Sequence, residues 1–313
     1  MDFAHPHKVG KTLGVTHEEN PKLHPLSLVR ASIPPVRSSQ YLLDPAGPFF
    51  RLTALMQSFS PECGGFSLAQ LVNFIAVLKK GAAPTELSGS FSYAYEKTVD
   101  GYPHDDGTTI SAIGLAGSRV ASCLKTLFPD DGDPALNPTG EKISPWADAT
   151  PQAITDAVTR LLGSPFLLDD LSIEGIHQAC FENSAVILEL QLGNEWYTST
   201  SGEETWDAAE ILPIRPPAKV IDSHFVLVAP YDEPNDRTWF INSSSPQWAQ
   251  NGFGYFGWNY APFIKSGIAF KAIPPSVSAV IQNPAVPPET KPALIQQILT
   301  DIEAAIALIQ KEL

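Results

Sequence analysis

The strand-like runs of this 313-residue chain gather in its second half, and the helical patterns of its main body come before them. Residues 185–192 (AVILELQL), 224–231 (HFVLVAPY) and 237–243 (RTWFINS) are dense in β-branched, aliphatic and aromatic side chains, which suit a pleated surface. DEPND separates the last two runs and supplies the turn formers Asp, Pro and Asn. GFGYFGWNY (252–260) and GIAFKAI (267–273) extend the series. Upstream, Phe66, Leu68, Leu71, Val72, Ile75 and Leu78 recur at helical spacing, with Gly81 as a stop. Further helices are expected at about 109–126, 151–162 and 172–183. Helices first and strands second predict an α+β fold of two packed subdomains with a cleft between them.

The flanks differ in character. Residues 1–34 are polar and interrupted by prolines, and read as an N-terminal arm. The main domain is expected over 35–273, followed by a Pro-rich linker at 274–292. In 293–313, Leu294, Ile295, Ile298, Leu299, Ile302, Ile306, Ile309 and Leu313 form an apolar stripe. That segment predicts an amphipathic helix, packed on its own domain or docking on a protein partner or a second copy. The net charge of −14 argues against a nucleic-acid partner, because phosphate binding requires a basic face. No stretch reaches the roughly 18 apolar residues of a membrane span, and the first residues lack the apolar core of a signal peptide. The expected location is cytoplasmic, with virion association or non-classical export as alternatives.

Three cysteines, Cys63, Cys123 and Cys180, are too few and too far apart for a disulfide framework or a zinc knuckle. His5 and His7 read as a surface pair, and Asp105-Asp106 and Asp130-Asp131 as solvated turn residues. Cys63 stands out by position. It opens the helical pattern at 66–80, and a helix N-terminus favours a thiolate. Gly64 and Gly65 follow it and permit close backbone approach. Gln57 lies six positions upstream, where a side-chain amide could stabilise an oxyanion.

At these residues the sequence resembles the papain-like cysteine peptidases. In that family a Gln stands six residues before the nucleophile, which opens a buried helix reading roughly Cys-Trp-Ala-Phe-Ser. The matching run here is Cys63-Gly64-Gly65-Phe66-Ser67. The family carries its His and Asn far downstream. Here SHFVLVAPYD places His224 at the head of a Val-rich strand, and Asn242-Ser243 precedes Trp248 and Asn251-Gly252-Phe253. IHQACFENSAVILELQL (176–192) resembles the family's helix and first barrel strand.

The resemblance implies a papain-like two-subdomain fold, helical in one half and β-barrel-like in the other, over about 35–272. It implies Cys63 as nucleophile, His224 as base, Asn242 as its orienter and Gln57 in the oxyanion hole. Gly64, Gly65, Asp106, Gly107 and Trp248 are expected to meet the substrate, a protein or peptide, with no metal or cofactor. Asp222 is the second choice as orienter. The separations from Cys63, 161 to His224 and 179 to Asn242, are long and imply an insertion near 128–150.

Three family residues are replaced. The aromatic after the nucleophile is Gly64, the Trp after the Asn-Ser pair is Ser244, and the Cys three before the nucleophile is Ser60. These replacements motivate the alternative of a weak or inactive papain-fold module that binds through its C-terminal helix.

Overall fold

The computed structural model describes residues 47–271, apart from 58–59, 81–82, 103, 132–142, 184, 194–195, 197–213, 215, 233–236, 244–247 and 249–250. The chain divides into two units, Met1–Ala272 and Ile273–Leu313. The expected arm at 1–34, the linker at 274–292 and the helix at 293–313 lie outside the described residues, as do His5, His7, Ser244 and residues 132–142 of the inferred insertion.

The first described helix, α1, spans Cys63–Lys80. Its apolar stripe is only part of its burial. Phe66, Leu68, Ala69, Leu71 and Phe74 are almost wholly covered, and so are the polar Ser67 and Gln70. A helix covered on every side belongs in the middle of a domain. Each fully buried Leu or Phe contributes roughly 1.5–3 kcal/mol, which outweighs the tenths lost to modest helix formers such as Ser67 and Asn73.

Helix α2 (Gly89–Val99) starts at Ser88, whose side chain accepts from the Phe91 amide. Helix α3 (Ile110–Arg119) is capped in the same way by Thr109. The sequence suggests a helix on to residue 126, but α3 ends at Arg119. Ala121 adopts a left-handed backbone (φ 55°) and, with Val120, donates to the Ala116 carbonyl. That turn frees Leu124 to bridge Leu87. Helices α4 (Pro151–Ala157) and α5 (Ile173–Asn183) follow.

Among the described residues six strands form one antiparallel sheet: β1 (Pro165–Leu167), β2 (Val186–Leu192), β3 (Asp222–Asp232), β4 (Arg237–Ile241), β5 (Phe253–Phe256) and β6 (Ile264–Phe270). Their order is β1-β6-β2-β3-β4-β5. The stretches Val186–Leu188 of β2 and Phe225–Val228 of β3 are apolar without alternation because both faces of the sheet are covered there. Ile187, Phe225, Leu227, Trp239 and Ile241 join a core shared with α1, α2 and α3. Their alternate neighbours Val186, Leu188, Val226, Val228 and Phe240 join a second core with α5. One sheet thus separates two cores, and this is the α+β arrangement expected.

Candidate active site

Cys63 is the first residue of α1, and its position follows from how that helix meets β3. The Phe225 amide donates to Cys63 Sγ at 3.5 Å, and one turn later Ser67 Oγ donates to the Phe225 carbonyl at 3.0 Å. The thiol therefore rests on the backbone of the residue next to His224. Burial pushes the Cys63 thiol well above its ordinary pKa; the Phe225 amide opposes that rise, and the charges of Asp222, Glu96 and Glu189 add to it.

His224 and Asn242 come from β3 and from the end of β4, strands that pair Leu227 with Ile241. Their side chains meet: His224 Nε2 and Asn242 Oδ1 are 2.8 Å apart, with both residues buried. An amide oxygen accepts, so Nε2 carries the proton in the neutral imidazole and Nδ1 carries the lone pair. Asp222 stands on the same face of β3 as His224, since i and i+2 share a face. Its Oδ1 accepts from the Ser223 amide, while Asn242 meets the imidazole.

Gln57 is held at its carbonyl, which accepts from the Ser60 amide and Ser60 Oγ, and at its amide and side chain. Its amide donates to the Ser243 carbonyl at 2.7 Å, Ser243 Oγ donates to Oε1 at 2.8 Å, and Nε2 donates to the Ser60 carbonyl at 2.6 Å. A carbonyl on one side and a hydroxyl on the other fix which end is NH2. Ser243, the neighbour of Asn242, thus ties the loop before Cys63 to the sheet. Sequence reading gave Ser243 no task of its own.

The remaining expected residues separate. Gly64 and Gly65 are buried, and packing accounts for their lack of a side chain. A Cβ at Gly64 would stand 2.4 Å from Thr108 Cγ2 and 2.9 Å from Glu96 Oε2. One at Gly65 would stand 2.3 Å from the Gly89 carbonyl. Asp106 is exposed. Gly107 is buried at φ 88°, and the Tyr93 hydroxyl bonds both its amide and its carbonyl. The Asp130-Asp131 pair is a correction. Both residues are buried, with Asp130 accepting from Ser88 Oγ and Asp131 from Ser144 Oγ. All three cysteines are free.

Solved structures with this architecture include xylellain, a cysteine protease from Xylella fastidiosa, at TM-score 0.64 and 17% identity, covering 88% of this chain and 100% of that one. Procathepsin B S9 from Trypanosoma congolense matches at TM-score 0.57 and 13% identity, covering 83% and 86%. Digestive procathepsin L 3 from Tenebrio molitor larval midgut matches at TM-score 0.56 and 13% identity, covering 86% and 77%. The chain has the papain-like fold. No family model and no curated protein matches the sequence.

On this papain-like fold the missing aromatics are offset differently. Trp196, just beyond β2, lies 5.6 Å from the His224 ring at 55° and stacks on Trp248 at 5.3 Å and 25°. Phe240 lies 5.8 Å from Trp248 and 6.0 Å from Trp196. Indole cover therefore reaches His224 from residue 196, although position 244 is Ser. The space beside Gly64 holds Thr108 and Glu96.

Glu62, the residue before Cys63, has no exposed surface and accepts from Ser60 Oγ and Ser90 Oγ, each at 2.8 Å. Burial first, then the charge of Asp131, push its pKa from 4.5 to about 8. The folded chain therefore holds this proton more tightly than the unfolded chain. The stabilisation is complete below pH 4.5 and is lost as pH climbs to about 8. The Glu62→Gln variant is expected to flatten the fall in Tm across that window, as read by calorimetry. A variant whose Tm declines as steeply as the parent's contradicts this.

Among the described residues no helix is long and apolar enough to cross a membrane, and no cluster of three or more His, Cys, Asp or Glu could hold a metal.

Proposed function

We propose that the protein is a cysteine-type peptidase that cleaves protein or peptide substrates through Cys63, His224, Asn242 and Gln57. The observation that carries this reading is the 2.8 Å bond from His224 Nε2 to Asn242 Oδ1, on the strand whose next amide bonds Cys63 Sγ. A lone thiolate at this buried position is costly. Transfer of the Cys63 proton to Nδ1 instead makes an ion pair, and attraction within it offsets part of the desolvation. The sulfur then attacks the scissile carbonyl carbon. One N–H of the Gln57 amide goes to the Ser60 carbonyl; the second, with the Cys63 backbone amide, stabilises the oxyanion. Collapse breaks the C–N bond as His224 returns the proton to the leaving amine. Water then attacks the thioester, gives a proton to His224 and releases the acid, and the thiol is restored.

The test is hydrolysis of a mixed fluorogenic peptide library. The parent is expected to release product, and Cys63→Ala is expected to release none above buffer. Equal turnover by both removes the thiol from the chemistry.

A second reading, a papain-fold binding module without turnover, has one observation in its favour: Cys63 is 0% exposed. That reading expects no turnover from the parent and no effect of Cys63→Ala on a partner complex.

A further inference from the structure

The helix that presents Cys63 carries two other buried polar side chains on the same face. Cys63, Ser67 and Gln70 follow one another at i, i+4 and i+7, which aligns them along a helix. All three reach the sheet half of the molecule. Cys63 Sγ accepts from the Phe225 amide and Ser67 Oγ donates to the Phe225 carbonyl. Gln70 Nε2 donates to the Asn242 carbonyl at 3.2 Å. Gln70 is 1% exposed, and its Oε1 finds no hydrogen-bond partner among the described residues.

A buried amide with one end unsatisfied weakens a core. Leu68, Ala69, Leu71 and Val72 surround it in sequence, so an apolar residue would suit helix packing better. The gain lies elsewhere. Asn242 is held by its amide to the Gly252 carbonyl and by its own carbonyl to Gln70. Its side chain then meets His224. Gln70 thus links the nucleophile's helix to the residue that orients the imidazole.

We infer that Gln70 is a positioning residue for the proposed reaction: it sets the Asn242 backbone so that Oδ1 stays on His224 Nε2 while Cys63 stays in register on the same helix. This rests on the peptidase reading. With Asn242 released, the Nε2 bond loosens and the imidazolium loses support. The thiolate–imidazolium pair then becomes less populated, although neither reacting group is touched.

The experiment is alkylation of Cys63 by iodoacetamide against pH, followed by peptide mass spectrometry, in the full chain. Gln70→Leu is expected to slow neutral-pH labelling about tenfold and to move the onset of reactivity to higher pH. Gln70→Met, of similar length and without a donor, is expected to do the same and serves if the Leu variant fails to fold. In a His224→Ala background, Gln70→Leu is expected to add nothing, because its effect passes through the imidazole. A purely structural role lowers Tm and leaves the shape of the pH profile unchanged; that outcome overturns the inference alone. A parent whose Cys63 is no more reactive than Cys123 and Cys180 overturns the peptidase reading and the inference together.

Discussion

His224→Ala is expected to lower kcat/KM for peptide hydrolysis about ten-thousandfold, close to the loss from removing the nucleophile itself. Residues that act as one unit fail together, and single losses in comparable triads reach about 10^4 to 10^6. The physical reason is specific to this site. Burial has already pushed the Cys63 thiol up, and nearby Asp222, Glu96 and Glu189 oppose an anion there. The Phe225 amide acts in the lowering direction. Without a cation next to it, the sulfur stays protonated at neutral pH. Steady-state kinetics should show the loss in kcat, with little change in Tm. A drop of less than about tenfold means that His224 is not the base.

Gly65→Ala is expected to destabilise the fold by about 3 kcal/mol or more, among the larger effects of a single methyl group. The added Cβ would lie 2.3 Å from the Gly89 carbonyl, 2.6 Å from the Tyr93 amide and 2.8 Å from Tyr93 Cβ. Two of these are backbone atoms of α2, so no side chain can swing aside. Relief requires α1 and α2 to separate, and that opens the core holding Phe91 and Leu68. Gly101→Ala is the contrast. An added Cβ there meets nothing within 4 Å, and only the φ of 83° resists it, at about 1 kcal/mol. Thermal and denaturant unfolding of both variants decide the matter; equal losses contradict a helix-contact role for Gly65.

The legibility of the chain follows the range of the forces involved. Helix α1 and strands β2, β3 and β4 are long and strongly apolar, so local pattern suffices for them. Helix α2, with the sequence GSFSYAYEKTV, is Ser-rich and escaped notice. Its stability comes from the Ser88 cap and the packing of Phe91, not from a clear stripe. The three-residue β1 is too short to carry a period. The β-bridge at Leu124 and the left-handed Ala121 broke the expected long α3, and neither is visible in local propensity.

At the site, the residues proposed for catalysis were legible because their spacing resembles a known family. Their supports were not. Trp196 sits in GNEWYTST, a polar stretch, and reaches His224 only after the sheet has formed. Asp130 and Asp131 read as solvent residues because Asp-Asp-Gly usually makes a turn. Here Ser88, Ser90 and Ser144 supply the hydrogen bonds that make their burial tolerable.

The central claim is that an imidazole from the sheet activates the sulfur at the tip of α1. Burial lifts the other two thiols, Cys123 to about 12 and Cys180 further, so they serve as internal references. The most direct measurement is the iodoacetamide labelling rate of all three cysteines at neutral pH, in the parent and in His224→Ala. The account predicts that Cys63 reacts at least a hundredfold faster than the others, on the order expected of a thiolate against a thiol, and that His224→Ala brings it down to their level. Labelling of Cys63 at the rate of Cys123 in the parent, or an unchanged rate after His224→Ala, contradicts it.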